Sequence, residues 1–348
     1  VLPQTSFNLY LPAPPPKSDR VQDFRVLPEA PSREDEGLLD ALIRDVQVRQ
    51  GLLRAALEDD EDTEPLKFIG SMQLDQGVLA FVAKIREILQ LDLPAFREQP
   101  NARDAFFLLR TQTEKTGTFV LLIGNLGSHH TNIAVELFRG FAIADPIAPF
   151  IVINDRDAHT AWSFTLLHEF CHLLLGETGV SGGKLEFLTQ KREAKIERFC
   201  NDVAGEILLP LQELNEFKLN LSGGIDAIAQ RVMDFAEKRN LSGSMVAYRL
   251  FRNQRIEETT WRQLSTSFRN QWIDKQNQQK EKNCDKKGGP DYYIVRQNKI
   301  GTSLISSVSQ MMGSGELTTV KAAKILGVKA QNLEKLISLN ASSTKGDV

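Results

Sequence analysis

The sequence predicts an α+β protein, mostly helical, with a small and largely antiparallel sheet. Three short β-rich runs, Thr118 to Gly124, Arg139 to Asp145 and Ala148 to Asp155, follow one another with only Gly, Asn and Pro punctuation between them. No helical run separates them, which favours hairpin neighbours over parallel crossovers. On both sides the apolar residues recur at three- and four-residue spacing, the period of amphipathic helices.

Taken in order, the chain opens with half of its fourteen prolines in the first 31 residues, including the run LPAPPP. Proline fixes φ and removes an amide donor, so residues 1–34 read as an extended linker or remnant rather than a packed element. From Ser32 the sequence SREDEGLLDALIRDVQVRQ begins with a capping residue and acidic side chains, then turns helical. The acidic EDDEDTEP ends it. Further helices are expected over Gly77–Gln90 and from Arg103 to a stop at Gly117, ahead of the three strands. After Asp155 the helical period returns in AHTAWSFTLLHEFCHLLLGE and in KREAKIERFCNDVAGEILLP, which Pro210 ends. GIDAIAQRVMDFAEKRN, SGSMVAYRLFRNQ and TWRQLSTSFRNQWIDKQ continue it. A polar stretch over residues 276–290 reads as a second linker, dividing a core over 35–275 from a small helical unit over 291–340 and a tail over 341–348.

Forty-two basic against forty-five acidic residues leave a net charge of −3, which excludes the uniform basic surface of a dedicated nucleic-acid binder. The three cysteines are odd in number and far apart, so a disulfide framework is unexpected and a cytoplasmic location is the simplest one. No apolar run reaches membrane-span length, and no membrane partner is expected.

Chemistry enters at His168-Glu169-Phe170-Cys171-His172, an HExxH within an apolar, proline-free run. On a helix, positions i and i+4 share a face at about 6 Å, so both imidazoles can reach one metal ion while Glu169 flanks the open coordination position as general base. A catalytic site needs a third protein ligand. Cys171 points to another helix face. On the next helix Glu197 shares a face with Asn201, which could fix the tautomer of a ligating histidine from the second rank; Glu193, one turn earlier, is its competitor. Zn²⁺ suits two histidines and a carboxylate, and Mn²⁺ tolerates the same set.

The block FRGFAIADPIAPFIVIND, WSFTLLHEFCHLLLGE, IERFCNDVAGEILLP, Phe138 to Pro210, closely resembles the ImmA/IrrE family of metallopeptidases, and the resemblance continues from about Leu9 to Leu339, including LPAPPP, the MVAYRL helix and GGPDYYIVRQNKIG. The resemblance implies a zincin-like, gluzincin-type core with zinc ligands His168, His172 and Glu197 and catalytic Glu169. It also implies a protein substrate, a helix-turn-helix repressor or other regulatory partner, and an upstream XRE-type helix-turn-helix joined at LYLPAPPP. A toxin-like partner, with the chain serving as an antitoxin-like binding protein, is the rival reading. Cys171 departs from the family's usual small or apolar residue.

Several residues carry weaker expectations. His159, at the entry to the HExxH helix, could donate to a substrate oxyanion, and Tyr292 or Tyr293 could do so if the C-terminal unit covers the cleft. His129 and His130 sit in a loop and read as solvated. Trp261 and Trp272 share one helix face and read as core. Leu317–Ile337 has helix-turn-helix spacing and four lysines, which leaves weak DNA contact open.

Overall fold

The structure, a computed structural model, describes residues 33–60, 62–177, 187–218, 224–284 and 291–344. Residues 1–32 of the expected proline-rich linker, and 345–348 of the tail, lie outside it. The elements run α1 (Arg33–Glu58), α2 (Val78–Leu89), α3 (Leu93–Arg97), α4 (Ala102–Glu114), β1 (Phe119–Leu122), β2 (Gly140–Ile143), β3 (Phe150–Ile153), α5 (His159–Leu175), α6 (Phe187–Leu208) and α7 (Leu211–Leu214). They continue as α8 (Gly224–Glu237), α9 (Gly243–Arg252), α10 (Glu258–Cys284), α11 (Tyr292–Ile300), α12 (Thr302–Gly313), α13 (Thr319–Leu326) and α14 (Leu333–Thr344).

The sheet is mixed, not largely antiparallel. Its order is β1-β3-β2: β3 pairs antiparallel with β2 through Phe141↔Val152, and parallel with β1 through Leu121↔Val152. The physical reason lies in connection length. The six residues 144–149 close β2 onto β3 as a hairpin, whereas residues 123–139 form a long loop between β1 and β2. A link of a dozen or more residues allows the chain to cross over and set a parallel pair.

Both faces of this sheet are covered, so its strands are apolar at every position and carry no alternation in the sequence. Val120, Leu122, Ala142, Ile151 and Ile153 join the core built with α2, α4, α5, α6, α8 and α9. Phe119, Leu121, Phe141, Ile143, Phe150 and Val152 join a second core with α1, α12 and α13. Helices α11–α14 cover the second face of the sheet. The expected linker over 276–290 differs, since α10 runs through Cys284; residues 285–290 lie outside the described ones.

A buried ion pair fastens this second layer. Arg110 on α4 bonds Glu114 at 2.9 Å, donates to the Val120 carbonyl on β1 and donates to the Asn298 carbonyl on α11. Gly301, at φ +91°, joins α11 to α12 with its Cα against the Glu114 and Arg110 side chains, where any Cβ would collide.

Helix α5 is buried from Ala161 to Leu174 on every side. A helix so enclosed must satisfy its last carbonyls from neighbours. Gly70 and Met72 donate to the Leu173 and Leu174 carbonyls at 2.9 and 3.0 Å, and Gly176 caps the end at φ +69°. A Cβ on Gly176 would sit 2.9 Å from the Cα of Gly70, so backbone approach as well as left-handed φ demands glycine there.

Candidate metal centre

Helices α5 and α6 pack along each other and bring His168, His172 and Glu197 together. One donor atom from each lies within 4.8 Å of the others. The two Nε2 atoms are 3.2 Å apart, and each is 3.2 Å from a different oxygen of Glu197. Glu193, the competitor one turn back, is outside this group.

The tautomer of His168 follows from Asn201. The Asn201 Oδ1 lies 2.9 Å from His168 Nδ1 and can only accept, so Nδ1 carries a proton, and in the neutral imidazole that a metal would bind Nε2 turns a lone pair toward the other donors. Both imidazoles are buried, while the Glu197 side chain keeps 27% of its exposure, so the group opens to solvent on the carboxylate side. Burial raises the Glu197 carboxyl, but His168 and then His172 outweigh it and hold the group well below the usual carboxylate range. The donor set is therefore two imidazoles and an ionised carboxylate, which fits Zn²⁺ and leaves a coordination position open.

Behind the donors, the buried His172 Nδ1 has no hydrogen-bond partner of sound geometry; Cys200 of α6 is its neighbour. Burial first, and Cys171 alongside, push the Cys200 thiol well above its ordinary range, so it stays a neutral thiol rather than a thiolate ligand. Both cysteines are buried and free. Cys171 thus fills space between the two helices, as its helix face predicts.

Glu169 is buried on the side of α5 that faces the edge strand β2. Gly140 is what admits it. A Cβ on Gly140 would lie 3.0 Å from Glu169 Oε1 and 2.6 Å from Thr165 Cγ2. Gly140→Ala is expected to displace Glu169 and to cost about 1–3 kcal/mol by overpacking, so cleavage rate should fall while metal content stays unchanged. The preceding Arg139 pairs with Asp157 at 2.6 Å, and the buried Asn154 amide donates to the Ile133 and Phe138 carbonyls, holding the loop before β2 against the end of β3. Sequence reasoning assigned neither Gly140 nor Asn154 a role. Glycine at the first position of an apolar edge strand is the signal that was available.

Other expected residues are not brought to this group. His159 stands in the first turn of α5, nine residues and about 13.5 Å of helix rise before His168, against Trp162 at a ring separation of 4.4 Å. Tyr292 and Tyr293 sit on α11, which packs on β1, the sheet edge opposite β2; their hydroxyls approach Asn332. They do not cover the group. His130 is exposed in the loop before β2, and the side chain of His129 is not among those described. Trp261 stacks on Phe251 with centroids 4.9 Å apart and packs, partly buried, against the core, and Trp272 is likewise only half-buried.

Two imidazoles and a carboxylate on packed helices, with a second carboxylate beside an edge strand, define a metallopeptidase-type centre. Residues 129–251 match the family model of the IrrE N-terminal-like domain of the M78 peptidases, which supports the likeness to the ImmA/IrrE family over that segment. Neither a curated protein nor a solved structure gives a significant match. Among the described residues no helix is long and apolar enough to cross a membrane.

Because the three donors join two helices of the main core, metal removal should loosen that contact. Chelation of the metal-loaded protein is expected to lower its melting temperature, with recovery on adding Zn²⁺, and the shift should vanish in His172→Ala.

Proposed function

We propose that this chain is a zinc-dependent endopeptidase with a zincin-like, gluzincin-type core, acting in the cytoplasm on a protein substrate such as a helix-turn-helix repressor. The observation that carries the reading is the His168–Asn201 contact, which fixes the free lone pair of His168 on the same side as His172 and Glu197. A group whose second-rank partner sets its tautomer is built for a cation, not for an incidental ion pair.

Bound zinc would supply Lewis acidity toward water and the scissile carbonyl. The chain's own residues do the rest. Glu169 accepts the proton of the attacking water and returns it to the leaving amine. Asn201 keeps His168 oriented, and Gly140 leaves room for Glu169 next to β2. Among the described residues β2 is an edge strand, along which an extended peptide can lie. Two buried, unlinked cysteines agree with a reducing compartment.

The test is incubation of the zinc-loaded chain with the product of any helix-turn-helix repressor gene beside its own. Cleavage at a discrete peptide bond by wild type supports the reading. An intact repressor that instead binds the chain tightly, or a neighbouring toxin neutralised without cleavage, would favour the antitoxin-like role.

A further inference from the structure

A cavity of about 340 Å³ lies where α1, the end of β1, α11 and α13 meet, on the opposite side of the sheet from α5. Its volume is at the low end of the roughly 300–1,000 Å³ of small-molecule sites. Three cations line it, Arg49 from α1 and Arg296 and Lys299 from α11, against one carboxylate, Asp45. That carboxylate is already matched: Arg49 bonds it at 2.5 Å and Lys324 from α13 bonds it at 2.8 Å. Lys299 reaches Asp155 at 2.5 Å. With these neighbours counted, four cations face two carboxylates, and two positive charges are left over. Arg296 has no carboxylate partner among the described residues, and its guanidinium lies 5.5 Å from the Tyr292 ring.

Arg49 is fixed at the wall of this cavity. Its Nε is buried and has no hydrogen-bond partner in the structure, although its Nη2 is held by Asp45. An unsatisfied buried donor costs about 1–3 kcal/mol, so the fold holds this guanidinium at the cavity wall at some expense. Gly327, the left-handed cap of α13 at φ +63°, is what admits the Arg49 head, because any Cβ there would occupy the guanidinium's place. The remaining wall is apolar, with Leu42 and Leu326 both fully buried.

We propose that this cavity binds a small organic phosphate of mononucleotide size, with its anionic head among Arg49, Arg296 and Lys299. Arginine suits such a head because its fork matches two phosphate oxygens at once. The ligand would bridge α1, the catalytic sheet and the C-terminal layer. Lys299 also carries its influence to Asp155, four residues before α5 begins, so occupancy has a direct route to the HExxH helix.

Calorimetric titration of the full chain with AMP, UMP and glucose 6-phosphate tests this, with inorganic phosphate and adenosine as controls. At least one of the three phosphate esters is expected to bind at sub-millimolar concentration, phosphate more weakly, and adenosine not at all. Arg296→Gln, which breaks no ion pair among the described residues, should weaken binding at least tenfold while leaving the melting temperature of the free protein unchanged. Lys299→Gln should act in the same direction, and Glu169→Gln should bind as wild type. Absence of binding by all three esters, or equal binding by wild type, Arg296→Gln and Lys299→Gln, would overturn the proposal.

Discussion

Glu169→Gln is expected to lower the cleavage rate by about 10²–10⁴-fold while the protein keeps its metal and its melting temperature. The amide is close to isosteric with the carboxylate, so the space that Gly140 leaves beside Thr165 still accommodates it. What it loses is the ability to take a proton from water. A factor of that size corresponds to about 3–5 kcal/mol of barrier, larger than the overpacking expected from Gly140→Ala. The measurement is the single-turnover cleavage rate of the repressor substrate by equal concentrations of zinc-loaded wild type and variant. A variant that cleaves at the wild-type rate would remove Glu169 from the chemistry.

The second large effect concerns the fold. Arg110→Met leaves Glu114 buried without its partner and strips the Val120 and Asn298 carbonyls of a charged donor. Breaking one side of a buried pair costs about 3–5 kcal/mol, or a fall of roughly 4–7 °C in melting temperature for a chain of this size. The double variant Arg110→Met/Glu114→Leu should recover part of the loss, because the stranded charge is then gone as well. A pH signature accompanies this. Burial pushes the Glu114 carboxyl above its ordinary 4.5, and Arg110 pulls it back. In the single variant burial is unopposed, so the folded state holds a proton that the unfolded state releases near pH 4.5. Stability relative to wild type is then best below that pH and is lost as pH rises toward the raised folded value. Thermal unfolding at pH 5 and pH 8 should give a larger deficit at pH 8, and hydrogen exchange should locate the loosening in α11 and α12.

The helices and the donor residues were legible in the sequence because both rest on local spacing. Asn101 caps α4, Ser242 caps α9, and Gly176 ends α5, each with its signal within a few residues. His168 and His172 share a helix face for the same reason, and Glu197 with Asn201 repeats the argument on α6. What escaped depends on contacts far apart in the chain. The parallel pairing of β1 with β3 is decided by where the 123–139 loop travels, which no local periodicity encodes. The polar composition of residues 276–284 suggested a linker, yet polar residues at helical propensity can extend a helix along solvent, as α10 does. The role of α11–α14 as the second cover of the sheet rests on Arg110, 188 positions from Asn298 in the chain. A lone arginine in a helix gives no sign of such a reach.

The central claim is that His168, His172 and Glu197 hold one catalytic metal ion. Metal content by mass spectrometry, on protein purified without added metal and then loaded with Zn²⁺, tests it most directly. Wild type and Glu169→Gln are expected to retain one zinc per chain after dialysis, and His172→Ala and Glu197→Ala to retain little. Retention of a full equivalent by both ligand variants, or none by wild type, would contradict the account.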